Sequence, residues 1–124
     1  MLEEVGSAIV GADADPNDVI VMRGWLEKHS VSAPPGLKNW RRRLLTLYTT
    51  RIEWRRDIGE SAAGSLQIDG ATKVKPHPEH LPPKCLSIIT SGGTLSLRFD
   101  NDETLSSWVS AIQSCAGGKI ENTI

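Results

Sequence analysis

From Val19 to Phe99 the chain is divided into short apolar runs, rich in Val, Ile, Leu, Thr and Trp, by clusters of Pro, Gly, Ser and Asp. Runs this short, with turn formers at such regular intervals, fold as antiparallel strands. Strands are expected over about 19–29, 39–48, 51–57, 64–68, 71–76, 84–90 and 94–100. The turns between them are Ala-Pro-Pro-Gly, Thr-Thr, Ile-Gly-Glu-Ser-Ala-Ala, Asp-Gly, His-Pro-Glu-His-Leu-Pro-Pro and Ser-Gly-Gly. No internal repeat is present.

The period changes after Phe99. Leu105, Trp108, Val109, Ile112 and Cys115 follow the spacing of one helical face, and Asp100 with Glu103 three residues on resembles a capping box. Gly117 and Gly118 are expected to end the helix. A helix this short is marginal alone, so its apolar stripe must dock on the sheet, with Trp108 contributing most. The expected architecture is seven strands closed off by one C-terminal helix.

At 124 residues the chain suits one domain, which buries roughly two thirds of the surface that the unfolded form exposes. Residues 1–18 are acidic, rich in Gly and Ala and aperiodic, and are read as a flexible leader. The folded domain is expected over 19–116 and a tail over 117–124. No secretory signal or membrane span is apparent, so Cys85 and Cys115 are expected to be reduced core thiols in a cytoplasmic monomer.

The net charge of −1 conceals an asymmetry. Between residues 23 and 56, nine basic residues against Glu27 and Glu53 leave +7, while five basic and thirteen acidic residues elsewhere leave −8. Such a count fits a solvated face and an anion-binding surface equally well. Strand parity separates the two. Arg41, Arg43, Leu45 and Leu47 project to one side of an extended strand, and Trp40, Arg42, Leu44 and Thr46 to the other. In the first strand Ile20, Met22, Leu26 and Lys28 share a face; in the third, Ile52, Trp54 and Arg56 do, with Arg51 and Arg55 opposite. Neighbouring strands therefore carry cations in line with their apolar stripes, at the rim where they enter the connecting loop. That loop, HSVSAPPGLKN, adds Lys38 and His29.

A rim of this kind suits a multiply phosphorylated ligand. Each charge-assisted hydrogen bond to phosphate contributes roughly 1.5–3 kcal/mol, and the guanidinium fork matches phosphate oxygens two at a time. Micromolar affinity requires about 8 kcal/mol. Attraction to an anionic bilayer, up to about 1 kcal/mol per basic residue, would supplement the direct contacts.

GWLEK (24–28), WRRRLLTL (40–47), IEWRRD (52–57), GSLQI (64–68) and a terminal helix carrying Trp108 occur here in that order. Together they resemble a pleckstrin homology (PH) domain, and the resemblance spans residues 19–116. It implies a mainly β fold: two nearly orthogonal sheets forming a partly open seven-stranded antiparallel barrel, capped by the C-terminal helix. It also implies a non-catalytic, peripheral membrane domain that binds phosphoinositide head groups between the first two strands. Lys28, Arg41 and Arg43 match the basic positions of members that bind in this way. Trp54 stands where those members often carry a phosphate-binding Tyr, and Arg55 beside it is a candidate compensating donor. Lys38 completes the expected set.

The serious alternative is a protein-interaction module on the same fold, which would not require the aligned cations. The sequence contains no nucleophile elbow, HExxH or Walker A loop, so no catalysis is expected. His77 and His80 lie in a Pro-punctuated loop without further ligands at useful spacing, so neither a metal nor any other cofactor is expected. Nucleic-acid binding fits poorly with the acidic remainder of the chain and its few aromatic residues.

Overall fold

A computed structural model describes residues 19–29 and 40–117. The expectations for residues 1–18, for the loop 30–39 with Lys38, and for 118–124 lie outside the described residues. The strands are β1 (Ile20–His29), β2 (Trp40–Tyr48), β3 (Arg51–Arg55), β4 (Gly64–Gln67), β5 (Lys73–Pro76), β6 (Cys85–Thr90) and β7 (Gly93–Arg98). They are followed by the helix α1 (Asp102–Ala116).

All seven strands pair antiparallel in one sheet of order β4-β3-β2-β1-β7-β6-β5. The two halves expected as separate sheets are thus joined through β1. At their junction, among the described residues, Glu27 pairs with Arg98 and Lys28 with Leu97. β4 and β5, consecutive in sequence, lie at opposite edges and leave the sheet unclosed. Asp69-Gly70 does form a turn, with Thr72 N donating to Asp69 O at 3.0 Å and Ala71 N to Asp69 Oδ1 at 2.9 Å. That turn is a crossover between edge strands and not a hairpin.

Period-two alternation builds the core. Leu26 of β1, Leu45 and Leu47 of β2, Ile52 of β3, Leu86 and Ile88 of β6, and Leu95 and Leu97 of β7 meet in one cluster. The helix adds Leu105, Trp108, Ile112 and Cys115 to it, the stripe expected from its 3.6-residue period. Trp108 is 3% exposed, with its ring tilted against Phe99 at 6.4 Å between centroids. Cys85 and Cys115 are free and buried, and burial pushes both thiols above their ordinary pKa.

The helix starts one residue later than the Asp100 capping box implied. Phe99 still donates its amide to Lys84 O at 2.9 Å, so the chain leaves the sheet only after that bond. Asn101 is the N-cap, its Oδ1 accepting from Thr104 N at 2.8 Å. Asp102 and Glu103 then fall in the first turn, where acidic charge complements the helix dipole. At the other end the Gly117 amide donates to Gln113 O at 2.9 Å.

Trp108→Ala removes the largest apolar group linking helix and sheet. The expected cost is about 3–5 kcal/mol, read as a lower midpoint in urea unfolding followed by far-ultraviolet circular dichroism.

Candidate functional site

The antiparallel register of β1 and β2 places Lys28 directly opposite Arg41, and Leu26 opposite Arg43. Two cations facing each other across a strand pair repel, and this arrangement destabilises a sheet unless an anion lies between them. Lys28, Arg41 and Arg43 line one cavity of about 170 Å³ together with Trp54, Arg56 and Ala63. The parity expected from the sequence therefore brings the first three cations together. Arg56 joins them, and its signal was already present: it shares the Ile52–Trp54 face of the third strand.

The cavity is polarised toward anions. Burial lowers the pKa of Lys28, and the nearby charge of Arg43 lowers it further. Each of these side chains donates to a backbone carbonyl. Arg43 Nη1 donates to Arg42 O at 2.7 Å, Arg41 Nη1 to Trp40 O at 3.4 Å, and Lys28 Nζ to His29 O at 3.5 Å.

Trp54 forms one wall. Its ring faces the Lys28 ammonium, which lies 4.8 Å from the centroid, a cation–π contact absent from the sequence reading. Across the strand pair Trp54 registers with Gly64, and a Cβ there would stand 2.6 Å from Cε2 and 2.8 Å from Nε1. Only glycine lets the indole lie against β4.

The sequence profile of the PH domain family matches residues 20–117. The chain belongs to the PH domain family. Solved structures share the fold. The C-terminal PH domain of pleckstrin in complex with D-myo-Ins(1,2,3,5,6)P5 aligns with a TM-score of 0.65 at 22% identity, over 79% of this chain and 96% of that one. The PH domain of human pleckstrin homology domain-containing protein family A member 5 aligns at 0.64 and 22% identity, over 84% and 82%. That of human oxysterol binding protein-related protein 11 aligns at 0.64 and 20%, over 90% and 89%. No curated protein sequence matches the chain.

Within this PH domain Arg55 does not serve as the compensating donor beside Trp54. It is 0% exposed on the opposite face, where its Nη2 pairs with Glu53 Oε1 at 2.7 Å and its Nη1 donates to Glu60 O at 2.7 Å. Glu53 uses its other oxygen for Arg51 Nε, also at 2.7 Å, and the Arg51 guanidinium lies 4.1 Å from the Tyr48 ring centroid. Strand alternation explains the error: adjacent residues cannot both face the cavity. The +7 segment is consequently divided. Arg23, Arg51 and Arg55 belong to the outer face of the sheet with Glu53, and Arg42 lies over Trp25 at 5.0 Å, opposite Glu27 in the register.

Other sequence features lie away from this cavity. Trp40 packs between His29, 4.9 Å away edge to face, and the Arg98 guanidinium at 4.6 Å. His77 Nε2 is 3.9 Å from Asp102 Oδ1. Among the described residues no group of three or more His, Cys, Asp or Glu is placed to hold a metal, and no helix is long and apolar enough to cross a membrane.

Gly64→Ala forces the indole off β4. It is expected to destabilise the fold by about 1–3 kcal/mol and to change tryptophan emission under native conditions. In a Trp54→Leu background the same glycine replacement should cost far less.

Proposed function

We propose that this PH domain is a non-catalytic membrane-recruitment module that binds phosphoinositide head groups, with Lys28, Arg41, Arg43 and Arg56 as phosphate ligands around Trp54. The observation that carries this reading is the facing pair Lys28–Arg41, with Arg43 beside it, at the mouth of one open cavity. An anion with several phosphates can engage several of these cations at once, and each charge-assisted contact adds roughly 1.5–3 kcal/mol. A monophosphate could reach only part of the set. The inositol pentakisphosphate in the related pleckstrin structure supports a polyphosphorylated inositol as the ligand class. Arg55 has no part in this site, being committed to Glu53. The domain would act at cytoplasmic membrane surfaces, where anionic lipid supplies the supplementary attraction.

Sedimentation with liposomes containing single defined phosphoinositides tests the assignment. Arg43→Ala is expected to weaken binding about tenfold or more, and Arg42→Ala less than about threefold, since its guanidinium lies on the other face. Equal losses from both replacements would indicate a diffuse electrostatic patch. If the unmodified domain binds none of these liposomes, the reading fails in favour of a protein-interaction role.

A further inference from the structure

Two large apolar side chains stand out as exposed among the described residues: Val19 at 54% and Ile58 at 52%. Val19 precedes β1 at the end of the sheet where Ile20 pairs with Tyr48, far along the strands from the cationic rim. Ile58 lies at the rim itself. β3 and β4 run into the turn 56–63 at the same end of the sheet at which β1 finishes and β2 begins. Both flanks of that turn, Arg56 and Ala63, line the cavity.

An isolated exposed isoleucine is ordinary on a protein surface. This one is held in place. Glu60 N donates to Asp57 O at 3.3 Å and Ile58 N to Asp57 Oδ1 at 2.7 Å, so the turn is bonded internally. Gly59, at φ 86°, supplies the left-handed conformation that lets it close tightly. The turn is also tied to the sheet: Arg55 Nη1 donates to Glu60 O at 2.7 Å and Ala63 N to Trp54 O at 2.7 Å. The buried Arg55, unsuited to the cavity, thereby anchors the segment beside it. The result is a fixed β-branched side chain presented to solvent at the edge of a four-cation site.

We propose that Ile58 is a membrane-inserting wedge, entering the headgroup–acyl boundary of an anionic bilayer while Lys28, Arg41, Arg43 and Arg56 hold a head group. This rests on the phosphoinositide reading above. The occupant is a lipid surface, because the cations that adjoin Ile58 complement anionic head groups and the side chain itself matches the acyl layer beneath them. Asp57 and Glu60 flank it and limit entry to the tip of the turn. The wedge gives the domain a contact that a soluble inositol phosphate cannot offer.

The test compares two ligands. Ile58→Ser is expected to weaken binding to vesicles of phosphatidylcholine with a phosphoinositide by about threefold to tenfold, the effect of losing roughly half the burial of one isoleucine or more. Its affinity for soluble inositol pentakisphosphate should not change, and Ile58→Leu should retain vesicle binding. An environment-sensitive dye on Ile58→Cys should shift to the blue with vesicles and not with the soluble ligand; Cys85 and Cys115 are buried and free. Unchanged vesicle binding by Ile58→Ser, or equal losses toward both ligands, would overturn the wedge while leaving the cationic site standing. If the unmodified domain binds neither ligand, the site and the wedge fall together.

Discussion

Among the described residues, Glu27 pairs with Arg98 and Lys28 with Leu97, joining β1 to β7 and so the two halves of the sheet. The junction also draws support from side chains. Arg98 provides it, with Nε donating to Glu27 Oε1 at 2.7 Å and the guanidinium lying against Trp40. Below the junction the two halves share the apolar core that α1 covers. Above it, Lys28 emerges at the rim, so the position of the first cation in the cavity depends on the same pairing that completes the fold.

The cavity is the unfavourable counterpart of that order. On the outer face of the same strands one Glu53 carboxylate bridges Arg51 and Arg55. Among the described residues that line the inner rim there is no carboxylate. Lys28, Arg41 and Arg43 are gathered at this rim, where burial lowers the pKa of Lys28 and the charge of Arg43 lowers it further. The cationic rim continues the apolar face of these strands and the Glu53 bridge lies on the other, although both draw on a single basic stretch.

Gly64 and Trp54 show how a scaffold detail reaches the site. The residue opposite Trp54 has no side chain, so the indole lies flat and turns a ring face toward the ammonium of Lys28. At this position the PH family resemblance pointed to hydrogen bonding by a polar tip. What the structure provides is an aromatic surface, which orients a cation that in turn faces the cavity.

The sequence by itself determined the number of strands, the helical stripe from Leu105 to Cys115, and the face that each rim residue occupies. Lys28, Arg41, Arg43 and Arg56 are separable from Arg42, Arg51 and Arg55 by alternation alone, and the same alternation puts Arg55 on the face away from the cavity. The helix start was legible to within one residue, because Asp100 and Asn101 are both good caps and a sheet hydrogen bond decides between them. Only the tertiary structure decided that β4 and β5 part to opposite edges, that Glu27 finds Arg98, and that Trp54 closes on Gly64. Sidedness within a strand follows from backbone geometry repeated every two residues. Which strands become neighbours depends on contacts between distant parts of the chain, and no local pattern encodes that pairing.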